Sequence, residues 1–243
     1  MALARKLRLI GLGLTLLAAQ AIADGVYSYA GPDGPAQTAY APAKGAGPIV
    51  IVLSGASGQN AYQTFAGDVS RLGYYTVLLD GKDILTRQQD GMANLKKAID
   101  RAQRSPQAVP GKAAVVGLSQ GGGGALVHAA SLSDQVSMVV AYYPAISFLP
   151  NPGVLVERFR VPVLVLAGGE DRYNNCCLIG SMRAMEAAAK QSAARFELVV
   201  YPEAQHSFNM YGPTQRRDDE RDAWRRVQEM LRLHQPLPAG AAG

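Results

Sequence analysis

Cysteine is almost missing from this chain: 243 residues contain two, Cys176 and Cys177, and they are adjacent. Neighbouring residues cannot tie distant segments together, so the fold must rest on a hydrophobic core rather than a disulfide frame. The pair is compatible with two buried thiols, a bond between neighbours or a link to another chain. No third or fourth ligand stands near it in sequence, so neither a metal centre nor any other cofactor is expected. Histidine is scarce as well, at three residues, which leaves few candidates for a base. Internal repeats and dividing linkers are absent, which excludes a solenoid and argues for one domain. Hydrophobic residues make up 48% of the chain, enough to build a core and too many for a disordered segment.

The first residues read as a leader. Arg5, Lys6 and Arg8 form a basic start, and a mostly apolar run from Leu9 to Ala19 follows. Small residues then end in Ala21-Ile22-Ala23, so residues 1–23 are expected to be a secretory signal cleaved before Asp24. A membrane anchor would need about 20 apolar residues, more than this run offers. The expected location is therefore secreted or periplasmic. The whole chain has 24 basic and 19 acidic residues, a net of +5. Removing the three basic residues of the leader leaves 21 against 19, a net of +2. So small a charge points to neither nucleic acid nor membrane as partner, and it leaves the oligomeric state open.

Residues 24–235 read as one α/β domain. Short β-branched runs at 49–53, 75–79, 113–118, 136–142, 161–167 and 196–201 predict strands buried on both faces. Amphipathic stretches at 62–72, 91–104, 120–131, 178–194 and 214–234 predict helices between them. Strand followed by helix, repeated, implies a mostly parallel sheet with helices on both faces. Val26–Tyr40, with Gly31-Pro32-Asp33-Gly34 at its middle, predicts an edge hairpin. Residues 144–159 predict a loop or short cap, and 236–243 a flexible tail.

Gly117-Leu118-Ser119-Gln120-Gly121 falls between an apolar strand and a helix, the context that a G-x-S-x-G nucleophile elbow requires. A serine on so tight a turn needs neighbours without side chains, because bulk two residues to either side would strike adjacent elements. Its hydroxyl needs a base, and the base needs a carboxylate to hold its tautomer. His128 lies two turns into the same helix and His234 ends the last helix, so His206 is the candidate base. It follows the strand at 196–201. Asp171 follows the strand at 161–167 and is the candidate acid, with Glu170 in reserve. Both stand at carboxyl ends of strands, where open parallel sheets gather their ligands. The expected oxyanion donors are the backbone N–H groups of Gln120 and of Ala56, the latter in the loop Ser54-Gly55-Ala56-Ser57-Gly58. That loop lacks the spacing and the lysine of a phosphate-binding loop. Asp80 and Asp83 read as solvated turn residues.

These residues resemble the dienelactone hydrolase family of the α/β-hydrolases over roughly residues 48–231. The resemblance is carried by Gly117-Leu118-Ser119-Gln120-Gly121-Gly122, by the Val161-Pro162-Val163 strand leading to Asp171, and by Tyr201-Pro202 with His206-Ser207-Phe208. It implies the α/β-hydrolase fold, with Ser119 as nucleophile, Asp171 as orienting acid and His206 as base. Ser54–Gly58 is similar to the family's H-G-G-S-G oxyanion loop, with Ser54 where histidine is common. The founding members use a cysteine nucleophile; this elbow carries serine, as many esterase relatives do. The expected activity is hydrolysis of a small carboxylic ester or lactone through an acyl-enzyme. The glycine run after Ser119 also looks like polyester hydrolases, and a peptidase on this fold is a further alternative. From another class comes an exported, catalytically silent binding protein.

Overall fold

The residues of strand β4 (Gly47–Leu53) are all buried, and they alternate between two separate cores. Ile49, Ile51 and Leu53 face one side of the sheet with Val77 and Val115. Val50 and Val52 face the other with Leu78 and Val116. A strand buried on both faces has no use for polar residues, which explains its unbroken apolar run. Each fully buried Val, Leu or Ile contributes about 1.5–3 kcal/mol, so a charge at Val116 would remove that stabilisation and add a desolvation penalty.

The computed structural model describes residues 20–23, 25–31 and 33–238. Its sheet has nine strands in the order β1-β2-β3-β5-β4-β6-β7-β8-β9. Strands β4, β5 (Tyr75–Leu79), β6 (Ala108–Leu118), β7 (Val136–Tyr142), β8 (Val163–Gly168) and β9 (Phe196–Tyr201) are parallel. The expected hairpin is present as β2 (Val26–Gly31) and β3 (Gly34–Tyr40), with β3 antiparallel to β5. Of the expected leader, residues 1–19 lie outside the described residues. Gln20–Ala23 forms the edge strand β1, antiparallel to β2.

Helices cover both faces. Helix α2 (Gly91–Gln103) buries Leu95, Ala98, Ile99 and Ala102, an i, i+3, i+4, i+7 spacing that aligns one stripe with the first core. Its start is fixed by Asp90, whose carboxylate accepts the Ala93 N–H at 3.0 Å. Helix α4 (Ile179–Ala189) adds Met182 and Met185 to the same side. On the opposite face, α1 (Gln63–Arg71) contributes Ala66 and Val69, and α5 (Arg217–His234) contributes Ala223, Val227 and Leu231. Asp218, Asp219 and Glu220 open α5 and Arg232 closes it, an order that suits the helix dipole. Just beyond it, the Gln235 amide donates to the carbonyls of Ile49 and Lys112 and accepts from Ser137. Leu237 then packs on the second core, and residues 239–243 lie outside the described residues.

The helix expected over 120–131 is shorter and less regular. Helix α3 (Gln120–Gly124) continues as a π turn over Ala125–Ala129, where the Ala130 N–H reaches back to Ala125 at 3.0 Å. The glycine run allows close approach: a Cβ on Gly123 would collide with the Ala145 carbonyl, and one on Gly122 would lie 2.9 Å from that of Tyr142. The expected cap region contains one short helical segment, Pro152–Arg158, which packs against α4. Among the described residues, no helix is long and apolar enough to cross a membrane.

Candidate active site

Strand β6 ends at Leu118 and α3 begins at Gln120, so the chain reverses direction on the single residue Ser119. That residue has φ 54° and ψ −114°, a conformation that side chains other than glycine rarely accept. Surrounding contacts over-determine it. The Ser119 N–H donates to Tyr142, and its carbonyl accepts from Gly123 and Ala145, all within 3.0 Å. A Cβ on Gly117 would strike the Gly121 carbonyl, and one on Gly121 would strike that of Leu53. Both glycines are therefore required by backbone proximity.

His206 Nε2 lies 3.0 Å from Ser119 Oγ, and His206 Nδ1 lies 2.7 Å from an Asp171 carboxylate oxygen. The other Asp171 oxygen accepts the Tyr173 N–H at 3.1 Å. Asp171 is 2% exposed and Ser119 6%, while one edge of the site stays open to solvent. The three residues come from the ends of β6, β8 and β9, brought together from 35 and 87 positions apart. Glu170, the reserve, makes no such contact; it pairs with Arg172 at 3.5 Å at the surface. His128 is packed beside Gly91, away from the elbow, and burial lowers its pKa. His234 ends α5.

The loop after β4 reaches the same point. Ala56 and Ser57 line the cavity in front of Ser119, together with Tyr62. Among the described residues, neither the Ala56 nor the Gln120 N–H is used by a loop or side-chain hydrogen bond, so both can serve an incoming oxygen. Gln120 N–H also opens α3, where the dipole favours negative charge. The loop is held by the Gly121 N–H donating to Ser54 O and the Gly81 N–H to Ser54 Oγ, at 3.0 and 3.1 Å. Burial pushes the Tyr62 hydroxyl above its ordinary value, so it stays protonated.

Aromatic residues that sequence reasoning did not select surround His206. Tyr173 stacks on one side of the ring, and the edge of Tyr143 meets it from another, each with centroids 4.6 Å away. Tyr143 follows β7, so the strand-end rule that located Asp171 and His206 could have found it. Its hydroxyl donates to Asn209 Oδ1 at 2.7 Å. Nothing in the sequence pattern distinguishes Tyr173.

Cys176 and Cys177 form a disulfide with each other, the neighbour-bonded option among those open from sequence. Their sulfurs and one His206 nitrogen lie within 4.8 Å of one another, a proximity that sequence spacing did not show. With both sulfurs oxidised and both imidazole nitrogens held by Ser119 and Asp171, this cluster has no donors left for a metal.

Residues 76–235 match the profile of the dienelactone hydrolase family. A protein of Methylorubrum extorquens named "Putative carboxymethylenebutenolidase" is 27% identical over 177 residues, covering 69% of this chain and 59% of its own. One of the same name from Yersinia pestis is 34% identical over 130 residues, covering 51% and 47%. The chain thus spans about half to three fifths of these relatives' length. Esterase 2 of Thermogutta terrifontis, solved after phosphorylation by paraoxon, superposes with a TM-score of 0.69 at 18% identity, over 90% of this chain and 95% of its own. That likeness shows the α/β-hydrolase fold.

Proposed function

The chain belongs to the dienelactone hydrolase family, and on that premise we propose that it is a serine hydrolase cleaving a carboxylic ester or lactone. The observation that carries this reading is the unbroken hydrogen-bonded chain from Ser119 through His206 to Asp171. Ser119 Oγ attacks the carbonyl carbon while His206 Nε2 takes its proton. The buried Asp171 carboxylate orients the imidazole and stabilises its charged form. The amides of Gln120 and Ala56 receive the oxyanion, a contribution of about 3–4 kcal/mol per donor in comparable sites. His206 then protonates the leaving oxygen, and a water activated by the same nitrogen releases the acyl group. The strained Ser119 backbone supports this role, since such strain persists where the surroundings fix a functional group.

An organophosphate probe tests the reading, as the paraoxon adduct of the Thermogutta esterase suggests. A fluorophosphonate should label the wild-type protein and leave Ser119→Ala unlabelled. Equal labelling of both would remove Ser119 as the nucleophile, and labelling of neither would return the chain to a silent binding protein. Export to a secreted or periplasmic location belongs to the same proposal. The basic and apolar start and the Cys176–Cys177 disulfide support it, and the mass of protein recovered from a cell envelope fraction tests cleavage before Asp24.

A further inference from the structure

Two cavities diverge from Ser119, of about 590 and 570 Å³, and they share Ala56, Ser119 and Tyr173. Their linings differ in degree of polarity. The first holds His206 and Tyr62, and its remaining lining is polar: Ser57, Glu170, Arg172, Gln205, Ser207 and Thr214. The second holds Gln120 and is surrounded by Leu85, Ala145, Phe148 and Cys176. Apart from the buried Gln120 Oε1, which has no hydrogen-bond partner among the described residues, its side-chain polar groups are occupied or outward. The Gln120 amide donates to Leu85 O at 2.8 Å, the Thr86 hydroxyl donates to Lys82 O at 3.0 Å, and Arg87 and Asn174 are exposed. Phe148, which lines this cavity alone, and Tyr173, which lines both, are 61% and 53% exposed, so their rings are accessible to a bound acyl chain.

The chemistry assigns a side to each cavity. His206 Nε2 must hand its proton to the oxygen that departs, so the alcohol half of an ester lies in the cavity containing His206. The acyl half then occupies the other cavity, past the oxyanion donors. Resting on the hydrolase reading above, we propose that the substrates are open-chain esters joining an apolar acyl group to a polar, hydroxyl-bearing alcohol. In acylation the Ser119 Oγ–acyl bond forms, the ester C–O bond breaks, and the proton taken from Ser119 leaves on the alcohol. A small-ring lactone, whose two halves stay joined, cannot fill both cavities.

The test uses a mirrored pair of esters. With 1-hexanoylglycerol the apolar half is acyl; with hexyl glycolate it is the alcohol. The wild-type protein should favour hexanoylglycerol by at least about tenfold in kcat/KM. Phe148→Ala should shrink the preference for hexanoyl- over acetylglycerol. Arg172→Leu should shrink that for hexanoylglycerol over methyl hexanoate. These ratios cancel any general loss of folded protein. Equal rates, the reverse preference, or faster turnover of a small-ring lactone, in protein that a fluorophosphonate labels at Ser119, overturns the substrate assignment alone. Absence of labelling overturns the hydrolase reading beneath it.

Discussion

Tyr173 lies nearly parallel to the imidazole of His206, with ring centroids 4.6 Å apart and an interplanar angle of 11°. Its own N–H donates to Asp171, so one residue contacts both the proposed base and the proposed acid. Stacking limits tilt of the ring about the axis that joins Ser119 to Asp171. Aromatic pairs of this kind contribute about 0.5–1.5 kcal/mol. Tyr173→Phe should therefore keep activity close to wild type, and Tyr173→Ala should lose up to about tenfold in kcat. Steady-state kinetics on a short-chain ester decides it. A phenylalanine variant as impaired as the alanine one would instead place the effect in the hydroxyl.

The carboxylates at 170 and 171 differ in burial and in partner. Asp171 is hydrogen-bonded to His206, while Glu170 faces solvent and Arg172. Asp171→Asn keeps the shape but presents an amide to His206 Nδ1 and favours the wrong tautomer. A loss of about 10⁴-fold in kcat is expected, on the precedent of such replacements in serine hydrolases. Glu170→Gln should change kcat little. Reversal of these two outcomes would mean that the acid had been misassigned between neighbours.

How far the sequence could be read depended on where side-chain information is local. Strands β5 and β7 were legible to the residue, because an apolar run bounded by turns leaves one reading. Strand β9 has the expected bounds but, at the sheet edge and interrupted by Glu197, is only partly buried rather than covered on both faces. Strand β6 starts five residues earlier than expected, at Ala108, because its first residues pair with Gly47 and Pro48 of β4 through backbone groups that carry no pattern. Helix α3 differs from the regular helix expected because its glycines answer to neighbours at Ala145 and Ile84, distant in sequence. Ser119, Asp171 and His206 could be chosen because each follows a strand and few alternatives existed. Tyr173 could not, since stacking on His206 is a relation between two loops. The two cavities are likewise assembled from five or more segments, so their contrast in polarity appears only in three dimensions.

The Cys176–Cys177 disulfide encloses no loop between distant segments. Loop-closure entropy grows with the length of chain enclosed, so this bond adds little to global stability. Its place is local: Cys177 is buried, Cys176 lines the apolar cavity, and Tyr173 lies three residues upstream. Reduction by a phosphine, or the Cys176→Ser/Cys177→Ser double variant, should leave the urea midpoint nearly unchanged. Turnover of hexanoyl esters should fall, by up to about tenfold if the Tyr173 stack is lost with it. A large drop in midpoint with unaltered kinetics would assign the bond to the fold instead of the pocket.

Acid should destabilise the protein through a histidine outside the site. His128 is packed beside Gly91 near the Ile84 carbonyl. Burial lowers its pKa from the ordinary value near 6.5, and the charge of Arg158 adds to this, against smaller opposing effects of Asp90 and the Ile84 carbonyl. A base with a depressed folded pKa favours the folded state above its unfolded pKa. Below that pH the unfolded chain takes up the proton first, and stability falls until the folded pKa is passed. The wild-type urea midpoint should therefore decline as pH falls from 7.5 to 5.5. In His128→Gln the decline should be smaller. His234, whose pKa burial and Arg195 also lower, contributes the same trend in both proteins and so cancels from the comparison. Equal declines in the two proteins would remove His128 as the cause and leave His234 as the group to replace next.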